Sequence, residues 1–254
     1  MSTNHHDATD RQFGPQAPFY VSSAVHTSGP DLDRIEAVAR AHGGSRALDL
    51  GCGGGHVSYR IAPHVGDVLA CDLSAGMLGA VTAEAQRRGI GNIATRQAPA
   101  ERLPFEDESF DFTVCRMSAH HWCDLEAGLR EARRVTRRGA QAVLVDPFAP
   151  ADPLLDTHLQ AIELLRDPSH VRDYRIDEWC AALGRSGFTI DRVATHRLRM
   201  EFATWIARMR TTEAHVAAIR SLQAGASAEV KSALAIEEDG SFLLDIATFE
   251  LRVA

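Results

Sequence analysis

Asp49 stands two residues ahead of a glycine turn, Gly51-Cys52-Gly53-Gly54-Gly55. The apolar run Ala47–Leu50 leads into that turn, and after His56 the segment Val57-Ser58-Tyr59-Arg60-Ile61 reads as the start of a helix. Strand, glycine turn and helix N-terminus form the layout of a nucleotide-binding first crossover. Glycines let the backbone turn sharply and bring a ligand against bare N–H groups. The spacing is G-x-G-x-G, and the third glycine of a dinucleotide fingerprint would fall at His56. A carboxylate is a poor neighbour for a pyrophosphate and a good one for an ammonium group.

A second acid, Asp72, ends the apolar run Val68–Cys71, twenty-one residues beyond Gly51. At that separation an acid at the tip of the second strand takes both hydroxyls of a ribose. An ammonium and a ribose together describe S-adenosylmethionine (SAM). Methyl transfer from its sulfonium is an in-line displacement, so the protein must align nucleophile, methyl and sulfur and exclude water. A general base is needed only when the acceptor must lose a proton. His120 is the candidate base, because it follows the fourth strand at the carboxyl edge where open α/β sheets bind ligands. Asp146 ends the adjacent strand and would orient the imidazole. The competing reading packs His120 and His121 under a lid and has Asp146 cap a turn. His170, Arg172, Tyr174 and Arg175 either line the acceptor pocket or sit on a surface loop. Trp122 and Trp205 read as core, and His5 and His6 as solvated.

These residues need a scaffold to bring them together. Hydrophobic periodicity predicts helices over about Asp31–Ala41, from His56 to Ile61, and after a Ser74 cap as far as Gly89. It predicts strands over Arg46–Leu50, Val68–Asp72, Ile93–Gln97, Phe110–Arg116 and Ala142–Val145, with a helix over Leu125–Thr136 before the last. Five strands alternating with helices imply a parallel, doubly wound α/β sheet. Helices over Pro153–Arg166 and Asp177–Ser186 follow, then a strand over Thr189–Arg199, a helical insertion over about 203–236 and a last strand, Phe242–Arg252. The segments 152–186 and 203–236 read as a lid on a domain spanning 28–254. Residues 1–27 are polar and irregular apart from Phe13, Phe19, Tyr20 and Val21. They read as a loose tail or as a flap whose aromatic residues close over a ligand.

Composition narrows the class. The 254 residues carry 34 acids against 27 Lys and Arg, a formal net charge of −7, which disfavours nucleic acid as a partner. The Arg133, Arg134, Arg137, Arg138 cluster fits a solvated helix C-terminus. No apolar run reaches the roughly 18 residues of a membrane span, and the polar N-terminus has no signal-peptide core. Cys52, Cys71, Cys115, Cys123 and Cys180 form no CxxC pair, so reduced thiols, a cytoplasmic location and no metal site are expected.

The motifs Leu48-Asp49-Leu50-Gly51-Cys52-Gly53-Gly54-Gly55, Asp72, Ala100-Glu101-Arg102-Leu103-Pro104-Phe105, Phe110-Asp111 and Arg116-Met117-Ser118-Ala119-His120-His121-Trp122 resemble those of class I SAM-dependent methyltransferases, in the UbiE-like branch. Arg166-Asp167-Pro168-Ser169-His170-Val171-Arg172 and Gly240-Ser241-Phe242 extend the resemblance to the bacterial YcgJ type. It implies a Rossmann-like sheet of seven strands with the last antiparallel, and a small-molecule acceptor methylated on oxygen or carbon with release of S-adenosylhomocysteine (SAH). A homodimer is compatible with it. In the family's site, Asp49 and the loop Gly51, Cys52, Gly53, Gly55 would hold the methionine moiety and Asp72 the ribose. Leu73 and Met77 would pack near the adenine, the backbone of Ala100 and Glu101 would meet its edge, and the backbone of Arg116 would meet the amine. Some O-methyltransferases resembling this chain place a His and an Asp where His120 and Asp146 fall. Two positions depart from the pattern. Pro99 stands where an acid often takes the adenine amino group, and Arg138-Gly139-Ala140 replaces a Pro-Gly-Gly turn. A SAM-binding protein without transferase activity, a methyltransferase acting on a protein, and an NAD-linked oxidoreductase are the rival readings.

Overall fold

The computed structural model describes residues 4–16, 27–42 and 44–254. Seven strands form one sheet: β1 (Arg46–Leu50), β2 (Asp67–Asp72), β3 (Ile93–Gln97), β4 (Phe110–Arg116), β5 (Thr136–Pro147), β6 (Phe188–Met200) and β7 (Phe242–Val253). Their order is β3-β2-β1-β4-β5-β7-β6. The first five pair in parallel, and β7 runs antiparallel to both neighbours. The strand order reverses between β1 and β4, so a crevice opens beyond their carboxyl ends.

Alternation along the strands builds a core on each face. Leu48, Leu50, Leu144, Phe249 and Leu251 face one layer, where Trp179 and Leu183 cover them. Ala47, Phe112, Val114, Val143 and Ile246 face the other, beneath Leu32, Ile35 and Val38. The covering helices are α1 (His5–Phe13), α2 (Pro30–His42), α3 (His56–Ile61), α4 (Ala75–Arg87), α5 (Leu125–Val135), α6 (Pro153–Arg166), α7 (Ile176–Arg185), α8 (Phe202–Arg208), α9 (Glu213–Gly225) and α10 (Ala228–Ala233). Ser74 accepts the Met77 N–H at the start of α4, and Asp124 accepts the Ala127 N–H at the start of α5; each fills an orphan donor of a first turn.

Two expectations are corrected and a third is resolved in detail. The N-terminal stretch is not irregular throughout. Asn4 accepts the Asp7 N–H and starts α1, and a single 3-10 turn, Gly14–Gln16, follows. Phe19, Tyr20 and Val21 lie outside the described residues. The insertion over 203–236 is helical as expected and consists of three helices; Thr212 and Ser227 each cap a fresh start. Finally, β5 begins at Thr136. Phe110 pairs with Thr136 and Phe112 with Gln141, so the Arg138-Gly139-Ala140 turn bulges out within the strand, at the surface. The arginine cluster beside it is tied to acids: Arg134 to Glu131 and Asp107, Arg137 to Asp111.

Candidate functional site

Asp49 is fully buried under the glycine turn. Its Oδ2 accepts the Ser58 N–H at 3.0 Å and the Ser58 hydroxyl at 2.6 Å, while Oδ1 has no partner. Burial raises its pKa to about 7, against the pull of the Ser58 bonds. An orphaned acid of this kind calls for a buried cation.

The glycine loop works differently from the bare-N–H expectation. The N–H groups of Gly51 and Cys52 both donate to Cys71 O, that of Gly53 to Asp72 Oδ2 at 2.8 Å, and that of Gly55 to Cys52 O. Space and backbone angle explain the glycines instead. Gly51, Gly53 and Gly55 all have positive φ, a region costly for side chains. A Cβ on Gly51 would lie 2.0 Å from Ser118 Oγ, and one on Gly55 would strike the Tyr59 ring. A Cβ on Gly53 would meet nothing within 4 Å; its open side faces the cavity. Asp72 accepts the Ser74 N–H with its other oxygen and so clamps the loop to the tip of β2.

A cleft open to solvent extends from this loop. Gly51, Gly53, Asp72, Leu73, Met77, Ala100, Glu101 and His120 line it, as does Pro99. Asp49, Cys52, Gly55, Arg116 and Asp146 stand behind the lining. The Arg116 side chain is buried in a pair with Asp31 of α2. Trp122 lines the cavity as well as packing in the core, whereas Trp205 is wholly core. α1 contributes His6, Thr9 and Phe13 to the rim. Phe13 meets the His121 ring edge-on at 4.9 Å, and His5 Nε2 lies 3.2 Å from His121 O. α1 thus packs on the rim of the cavity, and His5 and His6 are not simply solvated. His6, Glu101 and Cys123 also bring one donor atom each within 4.8 Å of the others. Three separate segments supply them, so no spacing in the sequence announces the group.

His120 and Asp146 meet as expected of a dyad. Nδ1 lies 2.6 Å from Asp146 Oδ1, and the His120 backbone N–H donates to Oδ2 at 2.9 Å. Adjacent strands make the contact local, because Arg116 pairs with Val145. Burial alone would lower the His120 pKa. The Asp146 charge and hydrogen bond, with Asp173 and Glu163 behind them, override it and lift the value to about 9. Its neighbours go the other way. Burial, then the His120 charge, pushes His121 and His170 well down. One imidazole of the three therefore carries the proton at neutral pH, an arrangement that separates acid–base roles by environment.

His170, Arg172, Tyr174 and Arg175 do not line the cavity. His170 bonds Gln160 and Arg172 pairs with Asp156, and the Val171 and Arg172 N–H groups donate to His120 O. The residue of that loop that reaches the cavity is Asp173. Glu163, Arg166, Asp167 and Arg208 join it, and none of these was expected from sequence. A signal did exist on α6: Glu163 and Arg166 share a helix face with the buried Leu159 and Ile162, where charge needs a reason.

Comparison with known proteins agrees with this geometry. A family model described as "Methyltransferase domain" matches residues 48–144. The protein YafE of Escherichia coli is 44% identical over 200 residues, 79% of this chain and 97% of that one. The chain belongs to the class I methyltransferases. The YcgJ methyltransferase of Bacillus subtilis is 34% identical over 77% of this chain and 78% of its own length. The crystal structure of YcgJ superposes with a TM-score of 0.84, covering 88% of this chain and 97% of that chain. The family implies SAM as methyl donor, and the residues present fit it: an orphaned buried carboxylate for the ammonium, an open glycine face, and Asp72 on the cavity wall. Among the described residues no helix is long and apolar enough to cross a membrane.

Proposed function

We propose that this protein transfers a methyl group from SAM to a small-molecule acceptor, on oxygen or carbon, with His120 as the base. One observation carries the reading: a single cavity joins the Gly51–Gly53 loop and Asp72 to the His120–Asp146 pair. SAM supplies an already activated, sulfonium-bound methyl. Asp49 would hold the ammonium, Asp72 the ribose hydroxyls, and Leu73 and Met77 the adenine. Pro99 offers no carboxylate to the adenine amino group, so backbone at Ala100 and Glu101 would hold that edge.

Asp146 fixes the imidazole through Nδ1, which leaves Nε2 as the atom that takes a proton from the acceptor. That step needs neutral His120, and the pKa of about 9 keeps most of it charged at pH 7. Turnover on a hydroxyl acceptor should therefore rise about tenfold per pH unit up to about 9. α1 and the Phe13–His121 contact close the rim and keep water from the reacting atoms.

Calorimetric titration with SAM, SAH and NADH tests the reading. Micromolar binding of SAM and SAH without NADH supports it. Binding of NADH alone would replace it with hydride chemistry, and a SAM complex inert toward quinols, phenols and hydroxylated natural products would make this a SAM-binding protein.

A further inference from the structure

Resting on the methyl-transfer reading, we propose that the deep end of the cavity recognises the acceptor's head, and that the head presents hydrogen-bond donors, hydroxyls or an amine, on an apolar body. The unfilled acceptor capacity there belongs to acids. Asp173 is 1% exposed, and neither of its carboxyl oxygens has a partner. Glu163 is 6% exposed, with Oε1 unpartnered. Asp167 spends Oδ1 on the Ser169 N–H and hydroxyl, which leaves Oδ2 without a bond. All three line the cavity.

Two of the cations facing them, Arg166 and His120, already have acceptors in the fold. Arg166 donates Nε to Trp205 O at 3.1 Å, lies over the Trp205 ring at 5.2 Å and reaches Glu163 Oε2 at 3.5 Å. Arg208 is engaged too, and His120 gives its Nδ1 to Asp146. Whether ionised or protonated, Asp173 and Glu163 keep lone pairs to fill. The walls leading to them are apolar: Met117, Pro147, Leu198, Met200 and Leu244.

An acceptor without donors would displace water from these oxygens and leave them buried and unpaired, which weakens binding. A carboxylate or phosphate carries acceptors only, so it cannot fill the free lone pairs of Glu163, Asp167 and Asp173. Chamber chemistry thus selects a neutral or cationic donor-bearing head and rejects an anionic one. Its position beside His120 Nε2 fits a head that also carries the atom to be methylated.

Four probes of similar size separate the cases, titrated calorimetrically into SAH-loaded protein. They are 4-ethylcatechol, phenethylamine, 4-ethylveratrole and 3-phenylpropionate. One of the two donor-bearing probes should bind at least about tenfold tighter than both the capped ether and the carboxylate. Which one wins tells a hydroxyl head from an amine head. The near-isosteric double variant Asp173→Asn, Glu163→Gln should shrink that preference to about threefold or less, with SAH affinity held within about twofold. Equal binding of 4-ethylveratrole, tighter binding of phenylpropionate, no binding of either donor-bearing probe at millimolar concentration, or a preference unmoved in the double variant would each overturn the proposal. Should the double variant fail to bind SAH, discrimination among the probes by the native protein decides alone. Failure of the native protein to bind SAH is a different result, and it strikes the methyl-transfer reading itself.

Discussion

Replacing Asp146 by Asn separates the charge at the His120 pair from its shape. The amide oxygen can still accept the Nδ1–H, while the amide NH2 then faces the His120 backbone N–H, a local cost that does not change with pH. What goes is the negative charge that leads the causes raising His120 from 6.5 to about 9. That rise corresponds to roughly 3 kcal/mol in favour of the imidazolium. In Asp146→Asn, burial still opposes the charge and only Asp173 and Glu163 support it. We expect the midpoint to fall by at least about 2 units, to about 7 or below. The assay is 15N NMR titration of the imidazoles in the SAH-bound protein, with His120 assigned by its loss in His120→Gln. A wild-type midpoint near 6.5, or one that Asp146→Asn leaves in place, would refute the argument.

The same shift sets a stability difference of known sign. His120 titrates higher folded than unfolded, so the pair's contribution is complete below pH 6.5 and is lost as pH rises through about 9. Asp146→Asn should therefore cost more stability at pH 6 than at pH 10, with the gap closing by about 3 kcal/mol. Urea denaturation at the two pH values measures it.

The glycine loop gives a matched pair of tests. Gly51→Ala meets Ser118 at positive φ and should cost about 3 kcal/mol in a thermal melt. Gly53→Ala has open space around it and should cost only about 1 kcal/mol, yet lower SAM affinity at least tenfold by calorimetry, since its methyl stands in the cavity. Asp49→Asn should weaken SAM binding by roughly 30-fold or more without destabilising the free protein at pH 8. Burial raises the Asp49 pKa from 3.8 to about 7, so its charged form is a burden above pH 7 and the Asn variant sheds it. Greater stability of the native protein than of Asp49→Asn at pH 8 would contradict that account.

What could be read from sequence follows how local the contacts are. Asp49, the glycine turn and Asp72 lie within two strands and one helix, and their spacing reports their geometry. His120 and Asp146 are farther apart, but each ends a neighbouring strand, and parallel register brings such ends together. The bare N–H groups were misread because nothing in G-x-G-x-G shows that Cys71 O and Asp72 Oδ2 consume those donors. α1 was missed because its residues are polar and bury nothing of their own; its partners are His121 and the cavity rim.

The acceptor chamber is harder to read for a further reason. Glu163, Asp167, Asp173 and Arg208 come from α6, the loop after it and α8, and they meet only once that loop docks on the turn Ala119–His121 through the Val171 and Arg172 N–H groups. A cofactor held in common across a family leaves a shared, sequence-local signature. An acceptor peculiar to one branch is held by side chains that the lid assembles over long range. In such a lid the informative feature is the charged residue on an otherwise apolar helix face, and Glu163 is that residue here. Its Oε1 has no partner in the fold, and on that feature the proposed acceptor site rests.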